Sequence, residues 1–243
     1  SGGKLYEYRP NDNFTRLNKG FDLSYSITPN LTADFTYKTD FAQVEADQEI
    51  VNFSRFNINL PEKREFFSQT AGFFNFGSSG GGGEHFGMMG SGGRGHSESF
   101  TFFNSRSIGI YDTCETPILG GIKLSGKLNK YSVGLLNMQT EETYINQEYT
   151  EPATNYTVFK LKRDVLKNSN MGVMFLNKKN SKGYYDRAIG FDSYFSFNNI
   201  YYINTAIANN IKPDVEKDNW VGLISAGLRK DWINASIGYT RLD

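Results

Sequence analysis

Downstream of Phe100 the chain repeats one pattern: segments of about nine to eleven residues in which apolar and polar side chains alternate, separated by turns. Ile189, Phe191, Phe195 and Phe197 alternate with Gly190, Asp192, Tyr194 and Ser196, and Ile233, Ala235, Ile237 and Tyr239 with Asn234, Ser236, Gly238 and Thr240. A period of two puts each set on one face of a β-strand. The polar face carries full charges, for Lys123 and Lys127 oppose Ile122 and Leu124, and Lys160 and Lys162 oppose Phe159 and Leu161. Burying unpaired charge is costly, so this face is expected to meet water rather than a packed core. No apolar run approaches the ~20 residues that a spanning helix needs. Yet the chain holds 20 Phe and 15 Tyr at a mean hydropathy of −0.50. Many aromatics in a polar chain suit a membrane barrel, where only the outward residue of each pair meets lipid. A crossing by this chain would need a closed barrel, because lipid cannot satisfy open strand edges.

The connections point the same way. Phe21 to Ile27 and Leu31 to Tyr37 read as a hairpin around Thr28-Pro29-Asn30. Phe100 to Asp112 and Ile118 to Leu128 read as strands, and from Asn129 onward short and long connections alternate strictly. Glu141–Asn155, Lys178–Asp186 and Asn209–Asn219 are the long polar loops, all on one end. Outer-membrane barrels have this asymmetry of turns and loops. Trp220 and Trp232 fall at opposite ends of adjacent strands, as interface aromatics would. Phe35, Tyr37, Phe191, Phe195, Ile203 and Ile237 are the expected lipid-facing residues. The fold expected is all-β: an antiparallel up-and-down transmembrane barrel, with about 11–12 strands in this chain. Residues 1–243 read as one domain whose two ends are cut from a longer chain.

Two segments break the pattern. Residues 40–77, DFAQVEADQEIVNFSRFNINLPEKREFFSQTAGFFNFG, form an insert rich in charge and Phe. Ala42 to Phe56 there can be helical, and Leu5 to Arg9 in the lead-in can be a short strand. The expected polar network of insert and lumen is Glu45, Asp47, Arg55, Glu62, Lys63 and Arg64. It admits two readings, a plug or gate held in the lumen by ion pairs, or an inward-folded brace or rim loop; charge clusters are usually solvated or structural, which favours the second. The mixed signs of Asp22, Asp34, Lys38, Lys123, Lys127, Lys160, Lys162 and Asp192 suit a plugged or narrow lumen. Residues 78–99 are a Gly-rich, low-complexity loop, expected to be mobile.

Ordered blocks then carry a family resemblance: QVEAD, SRF, PEKREFF and FFNFG within the insert, FFNSRSIG at Phe102–Gly109, PILGGIKLSGK at Pro117–Lys127 and VGLLNMQTEE at Val133–Glu142. Together they resemble the barrel domain of large Bacteroidota outer-membrane proteins, in which the barrel follows a domain similar to family-nine carbohydrate-binding modules. The resemblance implies a fold and an outer-membrane location, and no reaction. Glu65 departs from it, standing where the family more often has a second proline.

Chemistry is sparse. Charge balances at 26 basic and 26 acidic residues, which gives no pull toward nucleic acid. Both histidines lie in the Gly-rich loop, and no serine elbow, zinc pattern or phosphate loop is present. His85, Met88, Met89 and His96 would suit a soft metal, but their spacing fits no compact motif, so neither a metal nor another cofactor is expected. Cys114 is the sole cysteine and reads as a small packed residue. No catalytic residue is assigned. Glu45 and Asp47 are the least arbitrary acids for an alternative reading as an envelope glycan enzyme or carbohydrate-uptake component; pairing with Arg55 or Lys63 is favoured over catalysis. A soluble ligand-binding barrel is the third reading. The favoured function is an anchor, scaffold or transport component of the outer membrane. Its partners would be outer-membrane lipid, other envelope proteins and carbohydrate.

Overall fold

The computed structural model describes residues 20–38, 62, 64–77, 102–111, 114–144, 150–213, 219–230 and 232–242. The expected strand at Leu5–Arg9, the helix at Ala42–Phe56 and the Gly-rich stretch lie outside the described residues. The fold is all-β. Ten strands form one sheet: β1 (Phe21–Thr28), β2 (Leu31–Tyr37), β3 (Ile118–Leu128), β4 (Tyr131–Thr140), β5 (Thr154–Leu166), β6 (Ser169–Asn180), β7 (Tyr185–Phe197), β8 (Tyr201–Ile211), β9 (Asn219–Lys230) and β10 (Ile233–Leu242). Every strand pairs antiparallel with its sequence neighbours. Among the described residues the sheet does not close, since β1 and β10 are its two edges.

Short turns join β1–β2, β3–β4, β5–β6, β7–β8 and β9–β10 at one end of the sheet. Asn129, Asn168, Asn198 and Asn199 supply the positive φ that such turns need. At the opposite end β2, β4, β6 and β8 finish and β3, β5, β7 and β9 begin.

Two expectations are corrected here. The strand expected at Phe100–Asp112 does not form over its described residues 102–111: Ser105–Ser107 is a 3-10 turn, and of these residues only Ile110–Tyr111 forms a strand, paired with Cys114–Glu115. The adjacent rings of Phe102 and Phe103 explain this, because both pack against the insert and a strand would send them to opposite faces. The loop at Lys178–Asp186 shrinks to residues 181–184. Its polar residues extend the strands instead, with Lys178 directly opposite Asp186.

The insert covers one face of the sheet, called inner below. Its described part holds α1 (Glu65–Ser68) and a 3-10 turn at Ala71–Phe74. Phe67, Phe74 and Ile108 pack there with Leu136 and Met138 of β4, Val158 of β5 and Met174 of β6. The apolar core therefore lies between insert and sheet, while Ile122, Val173, Phe175, Ile189, Ile207 and Ile224 are exposed on the other face.

Candidate functional site

The insert is tied together by one arginine. Arg64 donates from its backbone N and Nε to Glu62 Oε1, at 3.0 and 2.8 Å, and from Nη2 to Glu62 Oε2 at 2.8 Å. The same guanidinium reaches across the Gly-rich stretch, donating from Nη1 to the Ile108 carbonyl at 2.7 Å and from Nη2 to the Ser105 carbonyl at 2.8 Å. The Ser105 hydroxyl donates to Glu62 Oε2 at 2.8 Å, and Arg64 stacks 4.3 Å from the Phe67 ring centre. Five donors in a rigid plane allow one side chain to hold a carboxylate and two carbonyls at once. Burial pushes the Glu62 carboxyl up, but Arg64, through its hydrogen bonds and charge, together with Ser105, outweighs it and holds the carboxyl below the usual carboxylate range. Glu62, residues 64–77 and residues 102–111 thus behave as one body, because the bonds run directly between the segments.

The sheet grips this body at two places. Lys123 of β3, 2% exposed, donates to the Phe66 carbonyl, lies 4.3 Å from the centre of the Phe66 ring and pairs with Asp34 at 3.2 Å. Asp34 sits directly opposite on β2, so the register makes that pair. The second grip joins β5, β7 and β8. Lys160, 1% exposed, forms an ion pair with Asp192 and lies 4.9 Å from the Phe76 ring centre. Asp192 Oδ2 also accepts from the Gly77 backbone N at 3.3 Å, and Asn204 Nδ2 donates to the Gly77 carbonyl at 3.1 Å. Gly77 has φ +70°, a conformation that favours glycine.

Glycines on the inner face make room for these contacts. A Cβ at Gly190 would lie 2.5 Å from the Phe76 ring, and one at Gly134 would lie 3.0 Å from the Phe74 ring. At Gly172 it would crowd both Asp192 Oδ1 and Lys160 Cε, at 3.1 and 3.2 Å.

Of the expected polar network, Glu62 and Arg64 pair with each other, while Glu45, Asp47, Arg55 and Lys63 lie outside the described residues. Lys123, Lys160 and Asp192 were expected to face water; they are buried. The insert covers them, and each finds a counterion; Lys123 also meets the Phe66 carbonyl, Asp192 the Gly77 N–H and Lys160 the Phe76 ring, which is the condition for burying charge. Phe35, Tyr37, Phe191 and Ile203 are exposed on the outer face, Ile237 is 77% exposed, and Phe195 is half-buried. Trp220 is exposed at the long-connection end of β9, and Trp232 is 80% exposed in the short turn before β10. Sequence reasoning missed the parts played by Phe66, Gly77 and Asn204. The available signal was glycine inside strand patterns, which marks close approach of another chain segment.

A family model described as a domain of unknown function (DUF5916) matches residues 3–199. That span includes every block on which the resemblance rests. No curated protein and no solved structure matches the chain.

Proposed function

As the chain belongs to the DUF5916 family, we propose that it forms the wall and plug of an outer-membrane β-barrel that serves the envelope as an anchor, scaffold or transport component. The observation that carries this reading is the inverted distribution of side chains. Large apolar residues stand exposed on the outer face, while the inner one carries Lys123, Lys160, Asp192 and Asn204 beside the apolar core that the insert covers. A water-soluble sheet would bury the first set and expose the second. Lipid rewards the reverse arrangement, provided that the strands close into a barrel. The reading therefore requires the edges of β1 and β10 to be paired, with each other or through further strands. Connections that are short at one end and longer at the other agree with an outer-membrane topology.

The insert bears on what kind of barrel this is. A body packed on the inner face and held by two buried lysine grips obstructs the lumen it would occupy. A plugged anchor or a gated transporter accords with that better than an open pore. A preceding carbohydrate-binding-like domain, which the resemblance implies, would give such an anchor a module to display. The test is expression with membrane fractionation, followed by planar-bilayer recording. The protein is expected in the outer-membrane fraction, to need detergent for extraction, and to show little conductance until the insert is released. A monomer that stays soluble without detergent would overturn the reading.

A further inference from the structure

On its outer face the sheet carries a sharp change from apolar to polar. Register places Leu135, Phe159, Phe175 and Ile189 in one line across β4–β7, and Asn137, Thr157, Asn177 and Arg187 in the next. Asn137 Nδ2 donates to Asn155 and Thr157 at 3.1 and 2.8 Å, so the β4–β5 part of the polar line is spent on itself. The β6–β7 part is not. Arg187 donates from Nε to Asn177 Oδ1 at 3.0 Å and stacks 4.5 Å from the Tyr185 ring centre, which fixes the plane of its guanidinium. Its two Nη groups have no hydrogen-bond partner among the described residues. Lys179, directly opposite Tyr185 on the same face, forms no ion pair among them either. Lys182 follows in the short turn, where Asn180 Oδ1 accepts from the Lys182 and Tyr184 N–H groups at 3.1 and 2.9 Å. All three cations are exposed. No carboxylate stands on the outer face of β5–β8; Asp186 lies on the inner face and pairs with Lys212 at 3.3 Å.

The geometry points to this corner of the outer face as a binding site for a lipid whose headgroup carries a phosphate. The acyl chains lie along Phe175, Ile189 and Phe191, and the phosphate sits one line further on, held by the Arg187 Nη pair with Lys179 beside it. A planar guanidinium matches two phosphate oxygens, and a second cation answers the second charge of a phosphate monoester. The occupant is anionic at one end and apolar at the other, because the exposed Phe175 and Ile189 stand in the line next to Asn177 and Arg187. An acidic peptide or inorganic phosphate would use the cations alone, and phosphatidylcholine brings a cation of its own to them. This inference rests on the outer-membrane reading, which puts acyl chains against the outer face.

The test reads Trp220, which shares the register line of Ile189 two strands away, roughly 10 Å across the sheet. Trp232→Phe leaves it the only tryptophan. The full chain is reconstituted into vesicles of phosphatidylcholine and phosphatidic acid, one of the two brominated in the headgroup-proximal part of its acyl chains, and quenching of Trp220 is titrated against the brominated fraction. Phosphatidic acid is expected to associate at least about fivefold more strongly than phosphatidylcholine, the weight of one cation at a charged surface. Arg187→Gln and Lys179→Gln should each bring that ratio toward one; both side chains are exposed, so neither change threatens the fold. Lys230→Gln, at the short-turn end, should leave the ratio as it was. A ratio near one in the parent, a ratio that survives both Arg187→Gln and Lys179→Gln, or an equal fall with Lys230→Gln would overturn the site. Brominated phosphatidylcholine would still quench Trp220 in those cases, and the barrel would stand. Quenching of Trp220 by neither lipid would refute the outer-membrane reading and this site with it.

Discussion

Replacing Asp192 with alanine should loosen the insert while sparing the sheet. The carboxylate has two tasks: it neutralises Lys160, which is 1% exposed, and it accepts from the Gly77 N at 3.3 Å. Removing one member of a buried pair strands the other charge, and such single losses cost about 3–5 kcal/mol. The lost hydrogen bond is worth about 1 kcal/mol more. The ammonium keeps only the Phe76 ring, at 4.9 Å, and a cation–π contact of up to about 2 kcal/mol does not replace a counterion. Lys160→Met in the same chain removes the stranded charge. The double variant should therefore be milder than Asp192→Ala alone by about 2 kcal/mol or more, since an apolar replacement of a buried pair is often near neutral. Two assays separate insert from wall. Denaturant unfolding followed by circular dichroism gives the total cost, and hydrogen exchange gives its location. Amides of residues 64–77 should lose protection while those of β5–β8 keep theirs, because the ladder bonds of those strands do not involve the Asp192 side chain. A cost under about 1 kcal/mol, or a double variant as damaging as the sum of the singles, would show that Lys160 reaches water and would refute the buried grip.

Three further outcomes follow from the same geometry. Glu62 has a carboxyl pKa held below its ordinary value, so it contributes stability above the ordinary carboxylate range that is lost as pH falls through the lowered pKa; Glu62→Gln should flatten the acid limb of a melting-temperature profile, and an unchanged limb would contradict the Arg64 pairing. Gly190→Val should drive a side chain into the Phe76 ring and destabilise the insert by about 1–3 kcal/mol, read by proteolysis of residues 64–77; unaltered proteolysis would mean that Phe76 is not seated there. Ile203→Arg should cost about 2–4 kcal/mol if the outer face lies near a bilayer midplane. Exposed to water, the same change would fall within about 0.5 kcal/mol, which vesicle-based denaturant unfolding distinguishes.

Strand existence and facing were legible because a period of two with charge on one face leaves little freedom: the segments around Ile122, Phe159, Phe191 and Ile237 all became strands. Turns were legible where asparagine marked them. What composition alone suggested was weaker. Lys178 and Asp186 looked like loop residues and proved to be register partners in the ladder, with the Asp186 carboxylate paired to Lys212 on the next strand's end. FFNSRSIG, part of the expected strand at Phe100–Asp112, proved to hold a 3-10 turn and to pack its Phe rings against the insert. Glu62 and Arg64 were picked out as part of a network, but their partners Ser105 and Ile108 come from more than forty positions away, as the bond separations of 43 and 44 show. No local pattern announces such a pairing. The fate of Lys123 and Lys160 was hidden for the same reason, since sequence shows that a face is charged and not what will cover it.

The central claim is that the apolar face looks into acyl chains and the charged face into the barrel. Spin labels placed singly at Phe191, Ile203, Ile237 and, on the other face, Asn204, in a Cys114→Ser background reconstituted into vesicles, test it most directly. The three outer labels are expected to be accessible to oxygen dissolved in the bilayer and shielded from a water-soluble nickel chelate, with the Asn204 label shielded from oxygen. Outer labels open to the nickel chelate, or immobilised together in a dry protein interior, would contradict the account.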